Sequence, residues 1–354
     1  MIRVLIVDDS PTLRTVIQSV LEADPEMEIV GQARNGREAV MLCHKLNPDV
    51  VTMDIRMPVM DGYEAIQAIM SETPRPIVVV TSTKSDRELG ITFKAVEHGA
   101  LMVLGKPKSQ SGVYKDVDQF RSQVKAMAEV KVVRRRRYPK RKKPAVSQKK
   151  SNPKSPGGAI KIIAIGASTG GPPALQSILR RLPGNLPVPV VVVQHISAGF
   201  VSGLARWLDD TVDLRVSVAG ESLLMQPGQV YIAPDDQHLV VAAGSRVWLK
   251  QSPLTDGHRP SVTVLFESVA RNFGSTAVGV LLTGMGADGA RGLKALRDAG
   301  GYTIAQDEAT SIIFGMPGEA VKLGAAKEVV ALGDIAERLT GLINNEELRV
   351  KSER

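Results

Sequence analysis

The sequence predicts two successive α/β units, each a parallel sheet with helices on both faces. Three observations lead there. The 354 residues exceed one typical domain. Short apolar runs alternate with segments of helical period before residue 129, and again after residue 157. Between them lies a stretch too poor in apolar side chains to build a core.

In the first unit the apolar runs are Ile2–Val7, Glu28–Ala33, Val50–Met53, Ile77–Thr81 and Leu101–Leu104. Helical segments are expected over about 10–23, 36–46, 61–71, 86–98 and 115–128. Five strands alternating with five helices make a five-stranded parallel sheet. Ser10 as N-cap and Pro11 behind it open the first helix. The core of this domain is expected over 1–108, with its last helix reaching about 128.

Ligands of such sheets sit beyond the carboxyl ends of the strands. The first strand runs into Asp8 and Asp9, and the third into Asp54. The fourth ends on Thr81, and Lys106-Pro107 follow the fifth. Three carboxylates in one crevice repel unless a cation sits among them, and oxygen ligands suit Mg²⁺. A lysine and a hydroxyl nearby can take up phosphoryl oxygens, with Asp54 accepting the group as an acyl phosphate. The plainer reading makes Asp8 and Asp9 a turn and Asp54 a loop carboxylate. Four motifs in register weigh against it.

Those motifs, VLIVDDS, MDIRMPVMDG, VVVTS and GKP, occur in this order and resemble the receiver domain of bacterial response regulators. The resemblance implies a flavodoxin-like fold and phosphorylation at Asp54. It implies Asp8, Asp9, Asp54 and the Arg56 carbonyl as Mg²⁺ ligands, with Thr81 and Lys106 as the phosphoryl switch. It also implies a cis bond before Pro107. Val103 stands where many receivers have an aromatic, and Arg56 where many with this kind of output domain have Glu. Both substitutions leave the chemistry intact and bear on the switch.

The net charge of +8 is a local property. Residues 131–154 hold twelve cations and no acid; removing those twelve from +8 leaves −4 for the rest. The segment 129–157 is rich in Lys, Arg, Pro and Ser, and reads as an extended, self-repelling linker. An anchor for an acidic partner is the sharper alternative. No nucleic-acid reader accompanies it. The single cysteine, Cys43, excludes an intrachain disulfide and fits a reducing compartment. No run approaches the roughly 18 apolar residues of a membrane span. A cytoplasmic protein without membrane insertion is expected.

The second unit is expected over 158–346, followed by a tail at 347–354. Its strong apolar runs are KIIAIGA, VPVVVVQ, AVGVLLT and YTIAQ, which suit a doubly wound, mostly parallel sheet. The first run leads into IGASTGGPP and then a helix, PPALQSILRRL. This glycine turn fits two chemistries. It reads as G-x-S-x-G around a nucleophilic Ser168, or as a dinucleotide loop that has lost its middle glycine. The following strand decides between them. It ends in Gln194-His195, where a dinucleotide site wants an acid for the ribose. A third strand ends in TGMGADG, which holds Asp288. Ser, His and Asp at three strand ends of one parallel sheet meet the needs of a hydrolytic triad.

The chain order Ser168, His195, Asp288 is not that of ordinary α/β-hydrolases. IGASTGG, VVQHI, HRPSV, LLTGMGADGA and AQDEATSIIFGMPGEA resemble, in order, the catalytic domain of the chemotaxis protein-glutamate methylesterases. The resemblance implies Ser168 as nucleophile, His195 as base and then acid, and Asp288 as the group that orients His195. It implies oxyanion donors at Met285 and near Thr169. It implies hydrolysis of glutamate methyl esters, and deamidation of glutamine, on chemoreceptors. The hydrolase site is expected to need no cofactor. A chemotaxis histidine kinase is the expected phosphodonor, and recruitment to receptor clusters the expected location. Phosphorylation of Asp54 is expected to control access to the Ser168 edge. The alternative is a non-catalytic response regulator whose basic linker engages an acidic partner. His258 is a rival base, and Asp307 and Glu308 are rival carboxylates. Asp288 is also placed to cap the helix that follows it.

Overall fold

The computed structural model describes residues 1–82, 86–107, 109–110, 113–114, 117–130, 132 and 159–352. Most of the basic segment 129–157 therefore lies outside the described residues. The chain forms two compact units, one on each of two large parallel sheets.

In chain order the stretch that carries the first sheet runs β1 (Ile2–Val7), α1 (Pro11–Glu22), β2 (Met27–Ala33), α2 (Gly36–Leu46), β3 (Val50–Met53), α3 (Gly62–Glu72), β4 (Ile77–Thr81), α4 (Asp86–His98) and β5 (Met102–Gly105). A short antiparallel pair, β6 (Ser109–Gln110) and β7 (Val113–Tyr114), precedes α5 (Val117–Ala128). The five main strands pair in the order β2-β1-β3-β4-β5, all parallel. β3 and β4 are buried along their whole length, as a sheet covered on both faces requires. Ser10 caps α1 by accepting from the Leu13 N–H, and Pro11 follows it. The expected cis bond before Pro107 is absent: the cis peptide among the described residues is Arg259–Pro260.

The second unit begins with β8 (Ile162–Ala167), α6 (Gly171–Leu179), β9 (Val190–Gln194), α7 (Val201–Thr211) and β10 (Arg215–Val218). Then come β11 (Leu223–Leu224), β12 (Gln229–Ile232), β13 (His238–Ala242), β14 (Arg246–Lys250) and α8 (Val262–Phe273). It closes with β15 (Ala277–Leu281), α9 (Ala290–Asp298), β16 (Tyr302–Gln306), α10 (Met316–Lys322), β17 (Glu328–Val330) and α11 (Leu332–Ser352). The large sheet is seven-stranded, in the order β10-β12-β9-β8-β15-β16-β17, and parallel throughout. The four runs that the sequence marks as strong are its central block, β9-β8-β15-β16, each buried from end to end.

A three-stranded antiparallel sheet, β11-β14-β13, was not expected. It matters because it holds α8. Ser268 Oγ accepts the Val241 N–H at 3.0 Å, and Asn272 Nδ2 donates to the Val241 carbonyl at 2.9 Å. Two side chains of α8 thus satisfy backbone groups of β13, and fix where the N-terminus of α8 points.

Candidate active site

β8, β9 and β15 are neighbours, and their carboxyl ends present Ser168, His195 and the 283–289 turn. Ala167 pairs with Gln194 in the ladder, so the next residues, Ser168 and His195, leave the sheet side by side. The His195 N–H donates to the Ala167 carbonyl at 3.0 Å, and the Ser168 N–H to the Thr283 carbonyl at 3.0 Å. Gly284 has no room for a side chain: a Cβ there would lie 2.7 Å from Ser168 Cβ and 2.3 Å from Met316 Sδ. The turn that follows β15 is thereby pressed against Ser168.

Asp288 lies beside His195 with Oδ2 2.9 Å from His195 Nε2. All of its acceptor capacity is used. Oδ2 also accepts the Val262 N–H at 2.8 Å; Oδ1 accepts the Ser261 hydroxyl at 2.8 Å and the Thr263 N–H at 2.9 Å. The carboxylate therefore sits on the N-terminus of α8, where the helix dipole favours negative charge. Burial opposes ionisation of Asp288. The hydrogen bond and charge of His195, with those of Thr263 and Ser261, prevail and hold its carboxyl well below the usual range. An ionised Asp288 can only accept, so His195 Nε2 is its donor, and in the neutral ring the lone pair falls on Nδ1. His195 Nδ1 is buried and has no hydrogen-bond partner.

Asp288 does not cap the helix that follows it, as was expected. α9 is capped by Gly289 in a left-handed conformation. The Gly289 N–H donates to Thr263 Oγ1 at 2.8 Å, which leaves the Asp288 carboxylate to α8. The rivals also resolve. Asp307 spends its carboxylate on its own turn, accepting the Thr310 N–H at 3.1 Å, and Glu308 is exposed. His258 stacks flat on His195, ring centroids 3.9 Å apart and planes 3° from parallel. Its Nδ1 donates to the Asp256 carbonyl at 2.7 Å. Burial, then the proximity of His195, lowers the pKa of His258 and favours its neutral form.

His195, His258 and Asp288 bring ligand atoms within 4.8 Å of one another. They make a poor cation site. Asp288 is saturated by hydrogen bonds, and lone pairs of two parallel rings run side by side instead of converging. The N–H groups of Thr169 and Met285 have no backbone acceptor among the described residues. Both lie in the turns that flank Ser168. The site thus combines a hydroxyl, an imidazole with one open nitrogen, an ionised carboxylate and two open amides. Such a set can move a proton and stabilise an oxyanion.

The first unit gathers the other expected residues. Ligand atoms of Asp8, Asp9 and Asp54 lie within 4.8 Å of one another. Lys106 Nζ is 2.8 Å from Asp54 Oδ2 and 2.7 Å from Asp8 Oδ2. Burial works against the Lys106 charge, but Asp54 and Asp8 outweigh it and raise its pKa. Thr81 is buried at the end of β4, and its carbonyl accepts the Lys106 N–H at 2.9 Å. Arg14 Nη1 donates to the Asp8 and Asp9 carbonyls at 2.7 and 3.2 Å, tying down the acidic turn. Arg56 is exposed just beyond Asp54. Asp8 Oδ2 is buried, with the Lys106 ammonium as its ion-pair partner. A buried carboxylate oxygen with spare lone pairs among three acids fits a hard divalent cation.

Sequence reasoning missed Ser261, Thr263, Gln194, Thr283 and Gln306. Their hydrogen bonds join positions far apart in the chain. A capping serine ahead of an apolar run was the one local signal, at Ser261.

Residues 163–339 match the family model for the CheB methylesterase, and residues 4–118 that for the response regulator receiver domain. The protein-glutamate methylesterase/protein-glutamine glutaminase 4 of Geobacter metallireducens is 47% identical over 350 residues, spanning 97% of this chain and 99% of its own. A protein of the same name from Myxococcus xanthus is 46% identical over 344 residues, 96% of each chain. Among solved structures, the Thermotoga maritima CheB methylesterase catalytic domain superposes with a TM-score of 0.50 at 40% identity, covering 52% of this chain and 98% of that one.

Proposed function

The chain belongs to the CheB methylesterase family, and from that premise we propose that it is a phosphorylation-activated protein-glutamate methylesterase and protein-glutamine glutaminase acting on chemoreceptors. The observation that carries this reading is the saturated Asp288 carboxylate on His195 Nε2, with His195 Nδ1 left without a hydrogen bond and His195 leaving the sheet next to Ser168.

Ser168 Oγ attacks the γ-carbonyl carbon of a glutamate methyl ester, and His195 takes its proton at Nδ1. The carbonyl oxygen becomes an oxyanion facing the Met285 and Thr169 amides. Collapse expels the methoxy group, which leaves as methanol with the proton from His195. Water then adds to the acyl-enzyme, His195 again taking the proton and returning it to Ser168. The product is a glutamate carboxylate. With a glutamine side chain the same steps expel ammonia. Asp288 holds the tautomer and stabilises the imidazolium throughout.

In the first unit, Asp54 is the phosphorylation site and Thr81 and Lys106 meet the phosphoryl oxygens. Asp8, Asp9, Asp54 and the Arg56 carbonyl would hold Mg²⁺, which when bound offsets the charge of the phosphoryl group. A chemotaxis histidine kinase is the phosphodonor in this reading.

Ser168→Ala and wild type, both folded, should differ by at least about 10³-fold in methanol release from methylated chemoreceptor membranes. Equal release would dismiss Ser168 as nucleophile.

A further inference from the structure

Gln194 ends β9 immediately before His195 and takes no part in the chemistry above. Its side chain is nevertheless buried at the centre of the site, with 3% of the residue exposed. Its Nε2 donates to the Ser168 carbonyl at 2.8 Å and to the His195 carbonyl at 2.8 Å. Two carbonyl acceptors fix the orientation of the amide, since the flipped form would set an oxygen against two oxygens. One side chain thus ties the backbones of Ser168 and His195 together.

The tie lies where the sheet can no longer make one. The β8–β9 ladder ends at Ala167 and Gln194. Beyond it Ser168 turns toward α6, and His195 enters a loop. Gly171 makes the space: a Cβ there would lie 1.9 Å from Gln194 Oε1. Oε1 itself is buried without a hydrogen bond. The side chain leaves this one acceptor unpaired while its amide serves two carbonyls, and the Ser168 carbonyl already accepts the Gly171 N–H at 2.8 Å. On the far side of Ser168 the brace is Thr283, whose hydroxyl donates to the Thr169 carbonyl at 2.9 Å and accepts the Ile313 N–H at 2.9 Å. The Thr283 N–H is held in turn by Gln306 Oε1 at 2.8 Å. Among the described residues, Gln194 is the side chain that hydrogen-bonds to both Ser168 and His195.

We propose that Gln194 is a positioning residue that sets the approach of Ser168 Oγ to His195 Nδ1 by clamping the two backbone carbonyls. This rests on the Ser168–His195–Asp288 reading above. A shift of the order of 1 Å between reacting groups can cost about 10²-fold in rate. The full-length protein is treated with a fluorophosphonate probe, which reports Ser168 reactivity without the receptor. Wild type should label at Ser168. Gln194→Met, close in size but without donors, should label about 10- to 100-fold more slowly. Its kcat for methyl ester hydrolysis should fall by the same factor, with KM unchanged. In Gln194→Glu a protonated carboxyl restores one donor and an ionised one restores none. Its rate relative to wild type should therefore rise as pH falls, which a packing role would not produce. That ratio decides the matter if Gln194→Met does not fold. Wild-type labelling by a folded Gln194→Met, or a pH-independent ratio for Gln194→Glu, overturns the clamp while leaving the hydrolase reading intact. An unlabelled wild type overturns the hydrolase reading, and the clamp with it.

Discussion

At the scale of the residue, Asp288 decides how His195 is used. Four donors converge on one carboxylate, and only one of them is the imidazole. The other three come from residues 261–263, so the tautomer of His195 is set by a helix N-terminus as well as by an acid. Asp288→Asn keeps the shape but replaces an acceptor with a donor. Methyl ester hydrolysis should fall by about 10³- to 10⁴-fold, measured as methanol release by folded protein. The same change has a signature in stability. Because the folded pKa of Asp288 lies below its ordinary 3.8, its ionised form stabilises the fold. That contribution is complete above pH 3.8 and is lost as pH falls toward the folded pKa. Urea midpoints of wild type and Asp288→Asn should diverge at neutral pH and approach each other in acid; a gap independent of pH would contradict the assignment. The placement of Ser168, His195 and Asp288 beyond neighbouring strands was legible in sequence because each follows an apolar strand. Gln194 and Thr283 were not: Gln194 meets Ser168 across 26 positions and Thr283 meets Thr169 across 114, and no local pattern records such pairs.

At the scale of the element, the legible strands are those that the sheet buries on both faces. Residues 190–193 and Ala277–Leu281 are unbroken runs without polar side chains and could be read directly. β10 and β17 lie at the sheet edges, half exposed, and lack that signal. β14 alternates exposed and buried positions over five residues, and β11 has only two, so the small antiparallel sheet escaped notice. Its consequence is functional, since it seats α8 and α8 seats Asp288. Ser261 is the N-cap of α8, accepting from the Val264 N–H at 3.4 Å, and its hydroxyl proton goes to Asp288. Ser261→Ala removes both roles. It should cost about 1–3 kcal/mol in urea unfolding and slow hydrolysis. Unchanged stability with unchanged rate would show that the Ser261 hydroxyl does not hold Asp288 in place.

At the scale of the whole molecule, one chain carries a receiver sheet and a hydrolase sheet, each with its polar residues gathered at the carboxyl ends of parallel strands. No helix among the described residues is long and apolar enough to cross a membrane. The receiver, with Asp54 as its proposed phosphorylation site, is the regulatory input in the proposed account. The most direct test is methanol release from methylated chemoreceptor membranes by the full-length protein, with and without a small-molecule phosphodonor and Mg²⁺. Wild type, Asp54→Asn and Ser168→Ala are compared. The account predicts release by wild type that rises with the phosphodonor, a basal rate in Asp54→Asn that the phosphodonor leaves unchanged, and no release from Ser168→Ala. Equal stimulation of wild type and Asp54→Asn, or release that persists without Ser168, would contradict it.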